Sequence, residues 1–66
     1  MKFIKLVGSE YLNAELVNRV YLEGSNGKYY VMLEAEDRDD DDCIGSYETY
    51  EEAALKLKKV VAALEL

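Results

Sequence analysis

Asn26-Gly27 constrains this chain more than any other pair of residues. It stands between two segments that alternate apolar and polar side chains, 15–23 and 28–36. Asn-Gly supplies two adjacent positive-φ positions, which a two-residue type I′ hairpin requires. An antiparallel hairpin is therefore expected, turning at Gly24-Ser25-Asn26-Gly27. In its first arm Leu16, Asn18, Val20 and Leu22 share one face, and Val17, Arg19 and Tyr21 the other. In its second arm Tyr29, Val31, Leu33 and Ala35 oppose Tyr30, Met32, Glu34 and Glu36. The set containing Val31 and Leu33 is the core candidate.

The flanks complete an architecture. Residues 2–7 read as a strand with Ile4 and Leu6 pointing one way and Phe3, Lys5 and Val7 the other. Gly8-Ser9-Glu10 can turn the chain, so that Tyr11–Asn13 runs briefly alongside the first strand. Residues 43–47 form a short final strand. Thr49 then caps a helix running to about the C-terminus, with Glu52 completing a capping box. Glu51 and Glu52 suit the positive end of its dipole, and Glu52 and Lys56 form a favourable i,i+4 pair. Tyr50, Ala53, Ala54, Leu57, Val60, Val61 and Leu64 fall on one side of it. The expected fold class is α+β: an antiparallel four-stranded meander (ββββ) with one C-terminal helix packed on one face. Sixty-six residues, 1–66, make a single domain. A chain this short buries only about 60% of its unfolded surface.

Charge and composition narrow the function. The formal net charge is −6. That opposes nonspecific binding to nucleic acid, which needs clustered Lys and Arg. It equally opposes an anionic membrane surface, and it permits a cation or a basic protein partner. One cysteine, Cys43, forms no internal disulfide, and without histidine a structural zinc site has no ligand set. The apolar run at the start is broken by Lys5 and ends at Gly8, unlike a signal peptide. These features point to a reducing, cytoplasmic setting. Enzyme chemistry has little to work with: no histidine, no serine with a base at hand and no glycine-rich phosphate loop. The neighbouring aspartates raise a thiol pKa, which argues against Cys43 as a nucleophile.

One stretch carries detailed chemistry, the run from Asp37 to Glu48, which holds five aspartates within its first six residues. Counted from Asp37, positions 1, 3 and 5 are Asp37, Asp39 and Asp41. The seventh offers the Cys43 carbonyl, and the twelfth is Glu48. This resembles the calcium loop of an EF-hand, in which alternate carboxylates turn inward and a bidentate glutamate closes the shell. The resemblance implies Ca²⁺ held by Asp37, Asp39, Asp41, Cys43 and Glu48. Two departures stand beside it. Asp42 occupies the place of the turn glycine, and a strand, not a helix, leads in. Read from the residues alone, the run is an acidic, self-repelling connection between strands. Its members Asp39, Asp40, Asp41 and Asp42 could also present carboxylates to a basic groove, as a nucleic-acid mimic does.

Other candidate contact residues are apolar. Tyr21, Tyr30 and Met32 share the face away from the helix, where Tyr47 could join them. Glu34 and Glu36 beside them would repel a nucleic-acid strand. Leu55, Ala62 and Leu66 make a second, thinner stripe on the helix. Leftover apolar surfaces on so small a domain point to a protein partner, including a second copy of the chain. The leading expectation is a small non-enzymatic interaction or regulatory protein, homodimeric and without a cofactor. An acidic inhibitor of a basic protein and a calcium-binding protein are the alternatives.

The run Phe3-Ile4-Lys5-Leu6, then Tyr11-Leu12-Asn13, then Leu16-Val17 and Val20, is similar to the opening of small bacterial and phage proteins. The flagellar FlbD family shares that opening. Ser46-Tyr47-Glu48-Thr49-Tyr50-Glu51-Glu52-Ala53 is similar to the ends of such chains. The resemblance implies a cytoplasmic, non-enzymatic accessory protein of bacterial or phage origin. FlbD-like chains lack the acidic insertion.

Overall fold

The computed structural model describes residues 2–8 and 10–64. Its elements are β1 (Phe3–Lys5), β2 (Tyr11–Asn13), a 3-10 turn (Ala14–Leu16), β3 (Val17–Ser25), β4 (Lys28–Ala35), β5 (Asp42–Tyr47) and α1 (Tyr50–Leu64). The fold is α+β, with antiparallel strands and the C-terminal helix packed against them. Asn26 and Gly27 have φ of +53° and +75°, as a type I′ turn demands. Ser25 and Lys28 close the hairpin as opposed residues.

The strands divide between two sheets rather than joining in one four-stranded meander. β3, β4 and β5 form the meander, and among the described residues β1 pairs only with β2. The cause is local. Gly8 adopts φ of +95°, and the Leu6 N–H bonds the Glu10 carbonyl at 2.8 Å. The chain therefore folds straight back, pairing Ile4 with Leu12 and Lys5 with Tyr11. This short hairpin tucks Leu6 and Leu12 against Leu33 and Ala35, so it shares the core face with the helix. The Val7 N–H reaches the Cys43 carbonyl at 3.2 Å and ties the hairpin to the start of β5.

Two bulges set which side chains face the core. Val17 lies opposite Ala35 while Arg19 lies opposite Glu34, so Asn18 is an extra residue in β3. Val17 and Val20 consequently reach the same core cluster, although strict alternation assigns them to opposite faces. In β5, Gly45 faces Val31 and Cys43 faces Met32, which leaves Ile44 as the extra residue. Past that bulge Tyr47 pairs with Tyr29 on the helix side, not with Tyr30 on the other face.

Val31, Leu33 and Ala35 are buried as expected, the first two with no exposure at all. Burying each of those two stabilises the fold by about 1.5–3 kcal/mol. From the helix, Ala53 and Val60 are buried. Tyr50 is not core: it is 57% exposed and meets Tyr29 edge to face, ring centroids 5.9 Å apart. Thr49 starts the helix, its hydroxyl accepting from the Glu52 N–H at 3.2 Å and donating to the Glu52 carboxylate at 3.1 Å. At the other end the Lys2 ammonium donates to the Ala63 carbonyl at 3.0 Å.

Candidate functional site

The face of the β3-β4-β5 sheet that turns away from α1 carries the expected aromatic residues. Tyr21, Met32 and Cys43 form one row across the three strands, and Glu23, Tyr30 and Ser46 the next. Tyr21, Tyr30 and Met32 are thus brought together, each half-buried. Arg19 and Glu34 make the row beyond them, with Nε 3.2 Å from Oε1. The Arg19 guanidinium also lies 4.6 Å from the centre of the Tyr21 ring, a cation–π contact on an exposed surface. Tyr21 leans inward over the sheet and donates its hydroxyl proton to the Asp41 carboxylate. That hydrogen bond, helped by desolvation and by the charges of Asp41 and Glu23, holds the Tyr21 pKa above the usual phenol value. The Cys43 thiol donates to the Gly45 carbonyl, Sγ to O 3.4 Å.

The acidic run is the connection between β4 and β5, with Asp42 already in the strand. Its organiser is Arg38. The guanidinium grips Glu10 as a fork, with nitrogen–oxygen distances of 2.8 and 3.2 Å. It holds Asp42 by one hydrogen bond, Nη2 to Oδ1 at 3.1 Å, and by an ion pair, Nε to Oδ2 at 2.8 Å. Asp42 Oδ2 is shut away from solvent and no well-aligned hydrogen bond reaches it, so the Arg38 charge alone compensates it. Planar bidentate pairing of this kind is what arginine supplies and lysine does not. Hydrogen bonding and charge from Arg38 hold the Glu10 carboxyl below its usual pKa, and the same two partners strengthen the guanidinium's hold on its proton. Asp37, Asp39 and Asp40 remain exposed, whereas Asp41 is committed to Tyr21 and Asp42 to Arg38.

The residues spaced like a calcium loop are not gathered around one point. The Cys43 carbonyl already accepts from Val7, and Glu48 follows the far end of β5. A strand of that length spans about 20 Å. Among the described residues no group of three or more His, Cys, Asp or Glu side chains is placed to hold a metal ion. The spacing needs a curled loop, and the chain from Asp42 onward is extended.

The helix surface contributes separately. Leu55 is 58% exposed and borders a shallow groove with Tyr47, Lys56 and Lys59. Leu66 lies outside the described residues. A second groove runs between β1 and α1, floored by Ile4, Ile44 and Val60 and rimmed by Lys5, Lys56 and Lys59. Neither Glu10 nor this lysine rim is signalled by any local sequence pattern. The i,i+4 spacing of Arg38 and Asp42 is visible, but it indicates a pair only once the turn brings them together.

The exposed face, the acidic turn and the lysine-rimmed groove belong to a small α+β protein. No family model, no curated protein and no solved structure matches the chain. No helix among the described residues is long and apolar enough to cross a membrane.

Proposed function

We propose that this chain is a small non-enzymatic interaction protein that binds a protein partner through the open face of the β3-β4-β5 sheet. The observation that supports it is the aromatic and thioether patch of Tyr21, Tyr30 and Met32, which no element among the described residues covers. Tyrosine and methionine are enriched at protein interfaces, and the flanking Arg19, Glu23 and Glu34 supply a polar rim. The same glutamates repel a nucleic-acid strand, so the partner is a protein. The single unpaired Cys43 fits a reducing compartment.

A photo-crosslinking amino acid at position 30, introduced into the full chain in its native cells, tests this. One protein is expected to crosslink from position 30 and not from position 51 on the far side of the helix. In purified form it should bind the wild-type chain and lose affinity for Met32→Arg. Equal labelling from both positions overturns the reading.

A second reading is favoured by Arg38. By tying the β4–β5 turn down, it leaves Asp37, Asp39 and Asp40 displayed on a fixed support. Such a display suits a basic groove on another protein, with carboxylates in place of phosphates. Asp39→Asn with Asp40→Asn should then weaken a crosslinked partner's binding in a salt-dependent way. Unchanged binding rules it out for that partner.

A further inference from the structure

The outer edge of β3 is the longest uncommitted stretch of backbone in the fold. β3 has nine residues, and among the described residues its only strand neighbour is β4. The type I′ turn fixes which of its peptide groups are free. Residues flanking a two-residue turn exchange both hydrogen bonds, and bonded and non-bonded pairs then alternate along the ladder. From Ser25 and Lys28, the bonded pairs are Glu23 with Tyr30, Tyr21 with Met32 and Arg19 with Glu34. Gly24, Leu22 and Val20 therefore aim their N–H and C=O groups away from β4. Among the described residues no backbone hydrogen bond reaches those outward groups. Tyr21 and Arg19 lean inward to Asp41 and Glu34, so neither side chain screens the edge.

An edge of this kind usually carries charges that repel a second copy. Here the charges are self-complementary. Arg19 and Glu23 stand two residues to either side of Tyr21 and on the same face. An antiparallel pairing of β3 with itself, centred on Tyr21, sets Arg19 opposite Glu23 of the second copy and Glu23 opposite its Arg19. The same register puts Val20 opposite Leu22 of the second copy. These residues have outward backbone groups, so hydrogen-bond phase and charge agree. Shifting the register by two residues keeps the phase but puts Tyr21 opposite a charged residue and loses both ion pairs.

We propose that two copies of this chain join through their β3 edges, antiparallel about Tyr21, into one continuous sheet with three strands from each. This deepens the interaction reading, on which it rests, by naming a second copy as one partner. The symmetry is isologous, as in most homodimers. Val20 and Leu22 lose their remaining exposure on the core side, and Tyr21 lies opposite its counterpart in the ladder while its ring stays turned towards Asp41. The joined sheet leaves Tyr30 and Met32 uncovered, so dimer formation and capture of another protein are separable outcomes.

Sedimentation equilibrium of the full chain tests the proposal. Wild type is expected to dimerise in the micromolar range. Glu23→Arg places like charges opposite each other on both sides of the axis and should weaken dimerisation about tenfold or more. Arg19→Glu with Glu23→Arg restores the complement and should restore the dimer. A wild type that stays monomeric at every concentration, or a dimer indifferent to Glu23→Arg, overturns the proposal. Amide exchange of wild type gives a check that needs no variant. Val20 and Leu22 amides should gain protection as concentration rises, while the Tyr21 amide, bonded to β4, is protected throughout. Equal exchange of Val20 and Leu22 at low and high concentration also overturns it.

Discussion

Arg38 and Glu10 are joined by a two-pronged hydrogen bond across 28 positions of sequence. Through it the β4–β5 turn is pinned to the loop of the N-terminal hairpin. The acidic run is therefore a braced turn, and one arginine sets its shape.

Removing that brace should free the turn and strand the Asp42 carboxylate. Arg38→Ala is expected to lower the melting temperature, and Arg38→Lys should recover only part of the loss because it lacks the fork. The acid side of the stability curve should change too. The folded Glu10 pKa is held below the ordinary glutamate value by the Arg38 guanidinium. Its contribution is therefore present above that value and is lost as pH falls through the lower folded pKa. Melting curves recorded through the carboxylate range should show a shallower acid limb in Arg38→Ala than in wild type.

Tyr21 supplies the opposite sign. Its folded pKa lies above the ordinary phenol value, because Asp41 accepts its proton in a hydrogen bond. The neutral phenol is the stabilised form. Its contribution is full below the unfolded pKa and disappears as pH rises through the folded one. In Asp41→Asn the Tyr21 pKa should fall towards the ordinary phenol value. Tyrosinate absorbance during an alkaline titration would read this as one tyrosine ionising earlier.

The core is small enough for one truncation to abolish it. Leu33→Ala should cost about 2–5 kcal/mol. A domain of this size seldom has more than about 3–5 kcal/mol to lose. Urea denaturation followed by circular dichroism should find the variant largely unfolded without denaturant. Leu55→Ala, on the exposed helix face, should stay within about 0.5 kcal/mol of wild type.

The turn glycine should be as sensitive as its backbone angle implies. Gly27 sits at φ of +75° with open space around its Cα. A methyl group there meets no neighbour, so any loss in Gly27→Ala comes from the backbone alone, about 1–2 kcal/mol. Gly8→Ala, at +95°, should behave similarly, and thermal melts of the two variants would show it.

What could be read from residues alone follows from the range of the forces involved. The Asn26-Gly27 turn, the buried face of β4 and the Thr49 cap are local, and each was legible as a pattern. The hairpin of β1 with β2 was visible in part, since the Gly8 turn brings Tyr11–Asn13 back beside the first strand. Its separation from the main sheet was not, because that depends on Leu6 and Leu12 finding Leu33 and Ala35. The bulges at Asn18 and Ile44 leave no trace in an alternating pattern, yet each reverses the alternation between the residues on its two sides. That is why Val17 reaches the core and Tyr47 joins Tyr29. The acidic run misleads for a related reason. Ligand spacing is a property of sequence, whereas convergence on one point belongs to the backbone path, and here the path leaves the turn at Asp42 and runs extended to Tyr47, which carries Glu48 away from Asp37 and Asp39.

Tyr47 folds back over Gly45, so that a side chain at that glycine would meet the phenol oxygen at 2.9 Å and ring carbons at 3.2 and 3.3 Å. The α-proton of Gly45 that occupies this place lies within the magnetic field of the ring. Its resonance should be displaced from that of an unstructured glycine whenever β5 is seated, and should return when the strand peels away. A chain without tryptophan thereby carries its own spectroscopic gauge of the strand that follows the acidic turn.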